Sequence, residues 1–337
     1  MKAYLHRTVP VLAIVLALAA SAALTACAAP VTEDDTSPVG ESGATPKAVV
    51  IGTLATQDSL PLWVAEDAGY FTAQGIPSVE IVTFQSAQEC QAALVAGSVD
   101  ALMSDLIVAA KLHAAGTEVV VPTVMLGADV AEGRFAIVAA PGSGITSMSG
   151  LSGVPVGTAA GTITEYVLDA LMAEAGVAPS DVVKEEVPKM PVRFQLLMEG
   201  TLKAASLPEP FVSLALGGGA TVVEGGDDTL GAENISQSVL VVSREFVSGD
   251  AGAATLEALL GAWDQAVADI NAAPDDYRAA LVEHANLPEA LAESYAVSTY
   301  PSATPPEASQ VQAVLDWMSE RGYLTSPVTP ADVLPGR

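Results

Sequence analysis

Three features of the chain predict an α/β fold made of two Rossmann-like lobes with a hinge. The first is an internal repeat. Ile51-Gly52-Thr53 closes an apolar run, and a helical stretch then stops at Ala68-Gly69; Val156-Gly157-Thr158 and Ala175-Gly176 repeat that order. Ala96-Gly97-Ser98-Val99-Asp100-Ala101 is answered by Glu199-Gly200-Thr201-Leu202-Lys203-Ala204, and the offsets of the three matches are 105, 107 and 103 residues. Shared order at near-constant spacing marks a repeat rather than ordinary βα grammar. The second feature is the alternation of β-rich runs with helical periods, which implies a mostly parallel sheet covered by helices. The third is a wholly helical end to the chain. Those helices pack most economically back on the first lobe, so the chain crosses between lobes near Phe135 and near Ser238. Two crossings make a hinge, and a cleft between lobes is where small-molecule sites preferentially lie.

The elements follow in order. Residues 48–54 form a strand, and the loop Ala55-Thr56-Gln57-Asp58-Ser59 leads into a helix over 60–68, with Asp58 or Ser59 as N-cap and Pro61 tolerated in the first turn. Strands are expected at 79–84, 99–103, 118–125 and 135–140, with helices at 86–96 and 106–115 between them. The second half repeats the theme with strands at 154–158, 182–187, 204–207 and 221–224 and helices at 165–175, 192–198 and 211–216. A last β run covers 238–242. Beyond it Leu256, Leu259, Leu260, Trp263, Val267 and Ile270 share one helical face, as do Val311, Val314, Leu315 and Met318. These are core stripes rather than chemistry.

Charge and cysteine usage narrow the function. The chain carries 13 Lys+Arg against 40 Asp+Glu, a net charge of −27. Nucleic-acid binding needs a cationic footprint, and there is none. Lys2, His6 and Arg7 precede an apolar run over 9–23, long enough for the core of a signal peptide and short for a membrane span. Leu24-Thr25-Ala26-Cys27 then resembles the bacterial lipobox, which implies removal of 1–26 and lipidation of Cys27; a plain secretory signal is the alternative. Two acyl chains anchor stably where one is marginal. Residues 27–47 read as a flexible tether, rich in Pro, Ser, Thr and acids. Cys90 is the one other cysteine, so no disulfide framework exists. The expected organisation is a leader at 1–26, the tether at 27–47, a first lobe of 48–134 with 238–337, and a second lobe of 135–237.

The chain resembles the substrate-binding proteins of ABC importers, in the nitrate, sulfonate, taurine and thiamine-precursor group. The resemblance rests on Ala65-Glu66-Asp67-Ala68-Gly69-Tyr70-Phe71 with Gly75, and on Ala96-Gly97-Ser98-Val99-Asp100-Ala101. In the second half it rests on Gly142-Ser143-Gly144-Ile145, Leu151-Ser152-Gly153, Gly161-Thr162-Ile163-Thr164-Glu165-Tyr166 and Leu207-Pro208-Glu209-Pro210-Phe211. One departure is Lys203, where that group has Asp. The resemblance implies a periplasmic-binding-protein fold of the second type and a lipid-anchored, monomeric receptor on the outer face of the cytoplasmic membrane. Such a receptor delivers a small molecule to a permease and its ATPase, without a cofactor. It also implies that Gln57, Asp58 and Ser59, the strand end at Phe84 and Ser86, Asp105, Gly161, Thr162 and Thr164, and Glu209 face the cleft.

The residues themselves leave alternatives open. Gly161-Thr162-Ile163-Thr164 precedes a helix whose free N–H groups suit an acceptor, but Thr162-x-x-Glu165 is also a capping box. Asp105 either meets a ligand or caps the next helix. Trp63 stacks on a ring or packs in the core. Arg134 is a hinge ion pair or a ligand clamp. Glu209, between Pro208 and Pro210, meets a ligand donor or bridges the lobes. Few cations reach the expected cleft, Arg134 and Arg193 being the plausible ones. Asp58, Asp105 and Glu209 therefore favour a neutral or cationic nitrogen compound over a sulfonate or nitrate. No Gly-x-Ser-x-Gly, Gly-Lys-Ser/Thr or His-Glu-x-x-His occurs, and His113 and His284 alone follow the leader, too few for a zinc cluster. The expectation is no enzyme and no metal. The rival readings are a secreted enzyme of the same fold, similar to pyrimidine synthases that use a Cys-rich motif, and a solute sensor.

Overall fold

The structure is a computed structural model that describes residues 43–130, 132–230 and 237–336. Lys2, the apolar run and Cys27 lie outside the described residues. Among the described residues, ten strands form two five-stranded sheets. The first contains β1 (Val49–Leu54), β2 (Val79–Phe84), β3 (Ala101–Ser104), β4 (Val119–Leu126) and β10 (Ser238–Ser243) in the order β2-β1-β3-β10-β4. The second contains β5 (Phe135–Ala139), β6 (Pro155–Thr158), β7 (Val183–Glu186), β8 (Ala204–Pro208) and β9 (Thr221–Asp227) in the order β7-β6-β8-β5-β9. The two orders are the same once β6 is matched to β1, β7 to β2 and β8 to β3. In each sheet the strand that arrives from the other sheet, β10 or β5, runs antiparallel to both its neighbours. The chain therefore passes between sheets twice, from β4 to β5 and from β9 to β10.

Most strands form where the sequence has short apolar runs that the fold buries, such as β1, β4, β5 and β10, while the edge strand β7 is largely exposed. β4 is buried along its whole length and carries Pro122, which an edge position tolerates because no ladder N–H is needed there. Its outer side is not left bare, since Val124 N donates to Thr304 O at 2.8 Å. The helix Gly249–Ala272 packs on the helix Leu60–Asp67 of the first sheet. Leu259, Trp263, Val267 and Ile270 are buried as expected, while Leu256 and Leu260 are half-buried and Ala258, Ala262 and Ala266 take up the close contact. The helix Ala308–Arg321 buries Val311, Val314, Leu315 and Met318 against the helix Leu106–Ala114. The largest apolar cluster is continuous from Ile51 and Trp63 to Val138, Leu207 and Phe211, so it joins the two sheets. The end of the expected tether is already docked, because Lys47 N donates to Thr255 Oγ1 at 2.8 Å.

Candidate functional site

The carboxyl ends of β1, β3, β6 and β8 converge on one cavity, through Leu54, Ser104, Ala159 and Pro208, with about 490 Å³ of empty space when its open, solvent-filled part is included. Ligands of open α/β sheets lie outside the carboxyl ends of their strands, so this is where the topology alone places a site. Phe135 and Ser238, which start the two crossing strands, close its floor.

Its walls hold polar atoms that the protein does not satisfy. Thr56 Oγ1, Gln88 Oε1, Ser104 Oγ, Ser238 Oγ and both side-chain atoms of Gln237 are buried without a hydrogen-bond partner, and all five residues line the cavity. A buried donor or acceptor left unmade costs about 1–3 kcal/mol, so a cluster of such atoms marks a place where water or a solute completes the hydrogen bonds. Asp58 stands among them. Burial pushes its carboxyl above the usual range, and the Thr56 and Ser238 hydroxyls, close to it but not in hydrogen-bonding geometry, pull it only part of the way back.

The helix start at Thr162 is arranged differently. Ala160 N donates to Glu186 Oε2 at 2.8 Å, Gly161 N to Glu165 Oε2 at 2.6 Å and Ile163 N to Asp105 Oδ2 at 3.0 Å. Ala159 N donates to Thr164 Oγ1 at 3.3 Å. Three carboxylates from this chain thus occupy the place an anion would take. The expected capping box does not form. Thr162 makes no capping hydrogen bond and its hydroxyl donates to Ala159 O, while Glu165 reaches one residue past the cap and also takes Lys184 and Tyr323. Asp105 does both things expected of it at once. It caps the helix Leu106–Ala114 through Val108 N at 2.8 Å and crosses to the second sheet's helix through Ile163 N. Burial raises its pKa against those two N–H groups and Lys111.

Arg193 completes the cavity. It is fully buried, and it lies on the helix Met190–Met198. Nε donates to Val187 O at 2.8 Å and an Nη1 hydrogen to Ser206 O at 2.9 Å. It forms no ion pair among the described residues. Burial lowers its pKa to about 10, with only Glu186 acting against that.

The sequence-expected residues divide into groups. Asp58, Asp105, Thr162 and Thr164 line the cavity together. Gly161 adjoins it with a positive φ of 63°, and its carbonyl accepts from Lys111 Nζ at 3.5 Å. Gln57, Arg134 and Glu209 instead share a second, more open cavity behind the crossing strands. There Gln57 Oε1 accepts from Tyr295 and Ser298, and Arg134 binds Asp227 and, at 3.4 Å, Glu209. Glu209 also accepts from Ser213 N at 3.1 Å, so it does cap the helix Phe211–Gly217, from one residue before the usual place. Ser59 is wholly buried and hydrogen-bonded to Thr53. Trp63 is buried with its ring stacked on His284 at 5.1 Å. Phe84 borders a separate surface hollow, and Ser86 caps the helix Ala87–Val95 through Glu89 N. Sequence reasoning misses Thr56, Gln88, Gln237 and Ser238, and it names Arg193 as able to reach the cleft without assigning it. The one signal available is an arginine inside an otherwise apolar helix.

A model of the NMT1-like family matches residues 42–286. The chain belongs to the NMT1-like family. No curated protein sequence matches it. Among solved structures, this NMT1-like protein is similar to the alkanesulfonate-binding protein SsuA of Xanthomonas axonopodis pv. citri bound to MOPS, at 20% identity over 87% of this chain and 99% of that one, with a TM-score of 0.72. SsuA of Escherichia coli, a periplasmic aliphatic sulphonate binding protein, is 21% identical over 84% of this chain and 96% of its own, with a TM-score of 0.67. The periplasmic nitrate-binding protein NrtA of Synechocystis PCC 6803 is 16% identical over 86% of each chain, with a TM-score of 0.68. The fold is that of these periplasmic binding proteins.

Proposed function

We propose that this NMT1-like protein is the extracytoplasmic solute-binding component of an ABC importer. Residues 48–134 with 238–337 form one lobe and 135–237 the other, and they close over a small organic molecule that is passed to a permease and its ATPase. The observation that carries this reading is the clustering of unsatisfied polar atoms of the first lobe and of the crossing at Gln237 in one cavity that residues of both lobes line. The solutes named for the sulfonate- and nitrate-binding neighbours support it. The ligand we favour is a neutral or cationic nitrogen compound, because Asp58 is an acceptor without a cation and the helix start is already filled by carboxylates. An enzyme using a cysteine nucleophile is disfavoured, since burial pushes the Cys90 thiol up to about 12.

A ligand that binds the native state alone at a hundredfold excess over its Kd adds about 2.7 kcal/mol of stability. A thermal-shift panel of amines, nitrogen heterocycles, alkanesulfonates and nitrate is therefore expected to pick out a nitrogen compound, with a smaller radius of gyration in solution scattering. Stabilisation by sulfonates or nitrate alone would reject the nitrogen preference, and stabilisation without compaction would reject the closing lobes. We also propose that Cys27 carries the lipid anchor on the outer face of the cytoplasmic membrane. Cys27→Ala is then expected in the culture medium, and its retention in the membrane fraction would count against the anchor.

A further inference from the structure

Two opposite charges face the cavity without neutralising each other. Arg193 is fully buried, and two of its five N–H groups are spent on the carbonyls of Val187 and Ser206. Those two bonds hold the guanidinium plane in place, yet a carbonyl is not a counter-ion, and no carboxylate lies within ion-pair distance among the described residues. Asp58 lines the same cavity and is also buried, and the groups acting on its carboxyl are the hydroxyls of Thr56 and Ser238 and its own backbone, none of them a cation. The remaining acid, Asp105, is already committed to Val108 N and Ile163 N. A charge taken out of water needs a partner with hydrogen bonds, and leaving either of these two unpaired is strongly unfavourable.

Resting on the solute-binding reading above, we propose that the ligand is a compact amino-carboxylate zwitterion, its carboxylate on Arg193 and its ammonium on Asp58. Net neutrality fits the protein's own balance at the site, one cation against one uncommitted anion. A guanidinium with free N–H groups on adjacent nitrogens receives a planar carboxylate bidentately. The ammonium takes the carboxylate of Asp58 and the Thr56 and Ser238 hydroxyls as acceptors, which also satisfies the two oxygen atoms left without a partner. One solute then neutralises both charges, and it does so with contacts from both lobes, since Asp58 precedes the first lobe's opening helix and Arg193 belongs to the second.

Isothermal titration of the protein lacking residues 1–26 tests this with straight-chain amino acids from glycine to 6-aminohexanoate. Each is compared with the amine and the carboxylate of the same chain length, and with taurine. At least one amino acid is expected to bind roughly tenfold or more tightly than both of its parents, the scale of one charge-assisted contact. Arg193→Gln is expected to abolish the advantage over the amine, and Asp58→Asn the advantage over the carboxylate. Because each readout is a ratio within one protein, a variant that folds less stably still reports it, and the parent comparison needs no variant. Amines binding as tightly as amino acids, binding by taurine in place of every carboxylate, or no binding by the series would overturn the proposal. If the series fails while another nitrogen compound stabilises and compacts the protein, the solute-binding reading stands and the zwitterion falls. If no solute of either panel does so, both fall.

Discussion

The two lobes open on matching strands yet fasten them differently. In the first, Asp100 Oδ2 accepts from Val50 N at 2.8 Å, tying the loop before β3 to the start of β1. The corresponding position in the second lobe, 105 residues on, is Pro155, which has no N–H to donate. Lys203 stands where Asp100 has its counterpart, and its ammonium donates outward to Gly200 O at 3.1 Å. The departure of Lys203 from the family pattern is therefore half of a pair. Once the donor is lost, the acceptor has nothing to hold, and the exposed position is free to carry a lysine.

The helix starts differ in the same spirit. The first lobe caps two of its helices with local side chains, Ser86 on Glu89 N and Asp105 on Val108 N. The second lobe's helix Ile163–Glu174 has no cap of its own and takes Asp105 from across the cleft. These two first-lobe helix starts are closed from within, and the start at Ile163 is closed from across the cleft.

Asp105→Ala is the sharpest way to break that contrast. It removes a cap worth about 1 kcal/mol and orphans Ile163 N, so a loss of about 2–3 kcal/mol is expected in urea melts of the ligand-free protein. Ser86→Ala, which touches one lobe only, is expected to cost about 1 kcal/mol. Equal losses would mean that the bond across the cleft adds nothing.

The strand fastening gives a smaller effect. Asp100→Ala is expected to cost about 1–2 kcal/mol, and Lys203→Ala to stay within about 0.5 kcal/mol. Lys203→Asp combined with Pro155→Val restores the first lobe's pattern, and a double-mutant cycle is expected to show coupling of about 1 kcal/mol that neither change shows alone. Additivity of the two changes would break the pairing of Pro155 with Lys203.

Acid titration separates two buried carboxyls, one from each lobe, by sign. Burial raises Asp58, so its ionised form works against the native state; Asp58→Asn is expected to stabilise the ligand-free protein at neutral pH. That gain fades as pH falls from the raised pKa to the ordinary 3.8, below which the carboxyl is protonated in both states and the penalty is gone. Glu165 is the reverse. Burial pushes it up, but Lys184, Gly161 N and Tyr323 outweigh burial and hold it below its ordinary 4.5. Its contribution is present above 4.5 and lost as pH falls through the lower folded value, so Glu165→Gln is expected to destabilise at neutral pH and to match wild type in acid. Melting curves from neutral to acid pH check both, and like signs would refute the contrast.

Whatever depends on a residue and its near neighbours is legible in the sequence. Apolar runs, periodic faces and turn glycines place nearly every strand, the two crossings and the long helices for that reason. The capping box expected at Thr162 fails because Glu165 has better partners in Lys184 and Tyr323, which lie 19 and 158 residues away. Glu209 is a poor N-cap by residue type, and only the geometry brings its long side chain back to Ser213 N. The cavity itself is a tertiary product. Thr56, Gln88, Arg193, Gln237 and Ser238 are ordinary residues along the chain, and what sets them apart is that folding takes them out of water and leaves them short of partners. Burial and pairing are properties of positions in space. Sequence by itself determined which elements would form and how often they would repeat; the packing of the lobes decided which polar groups the protein leaves for something else to satisfy.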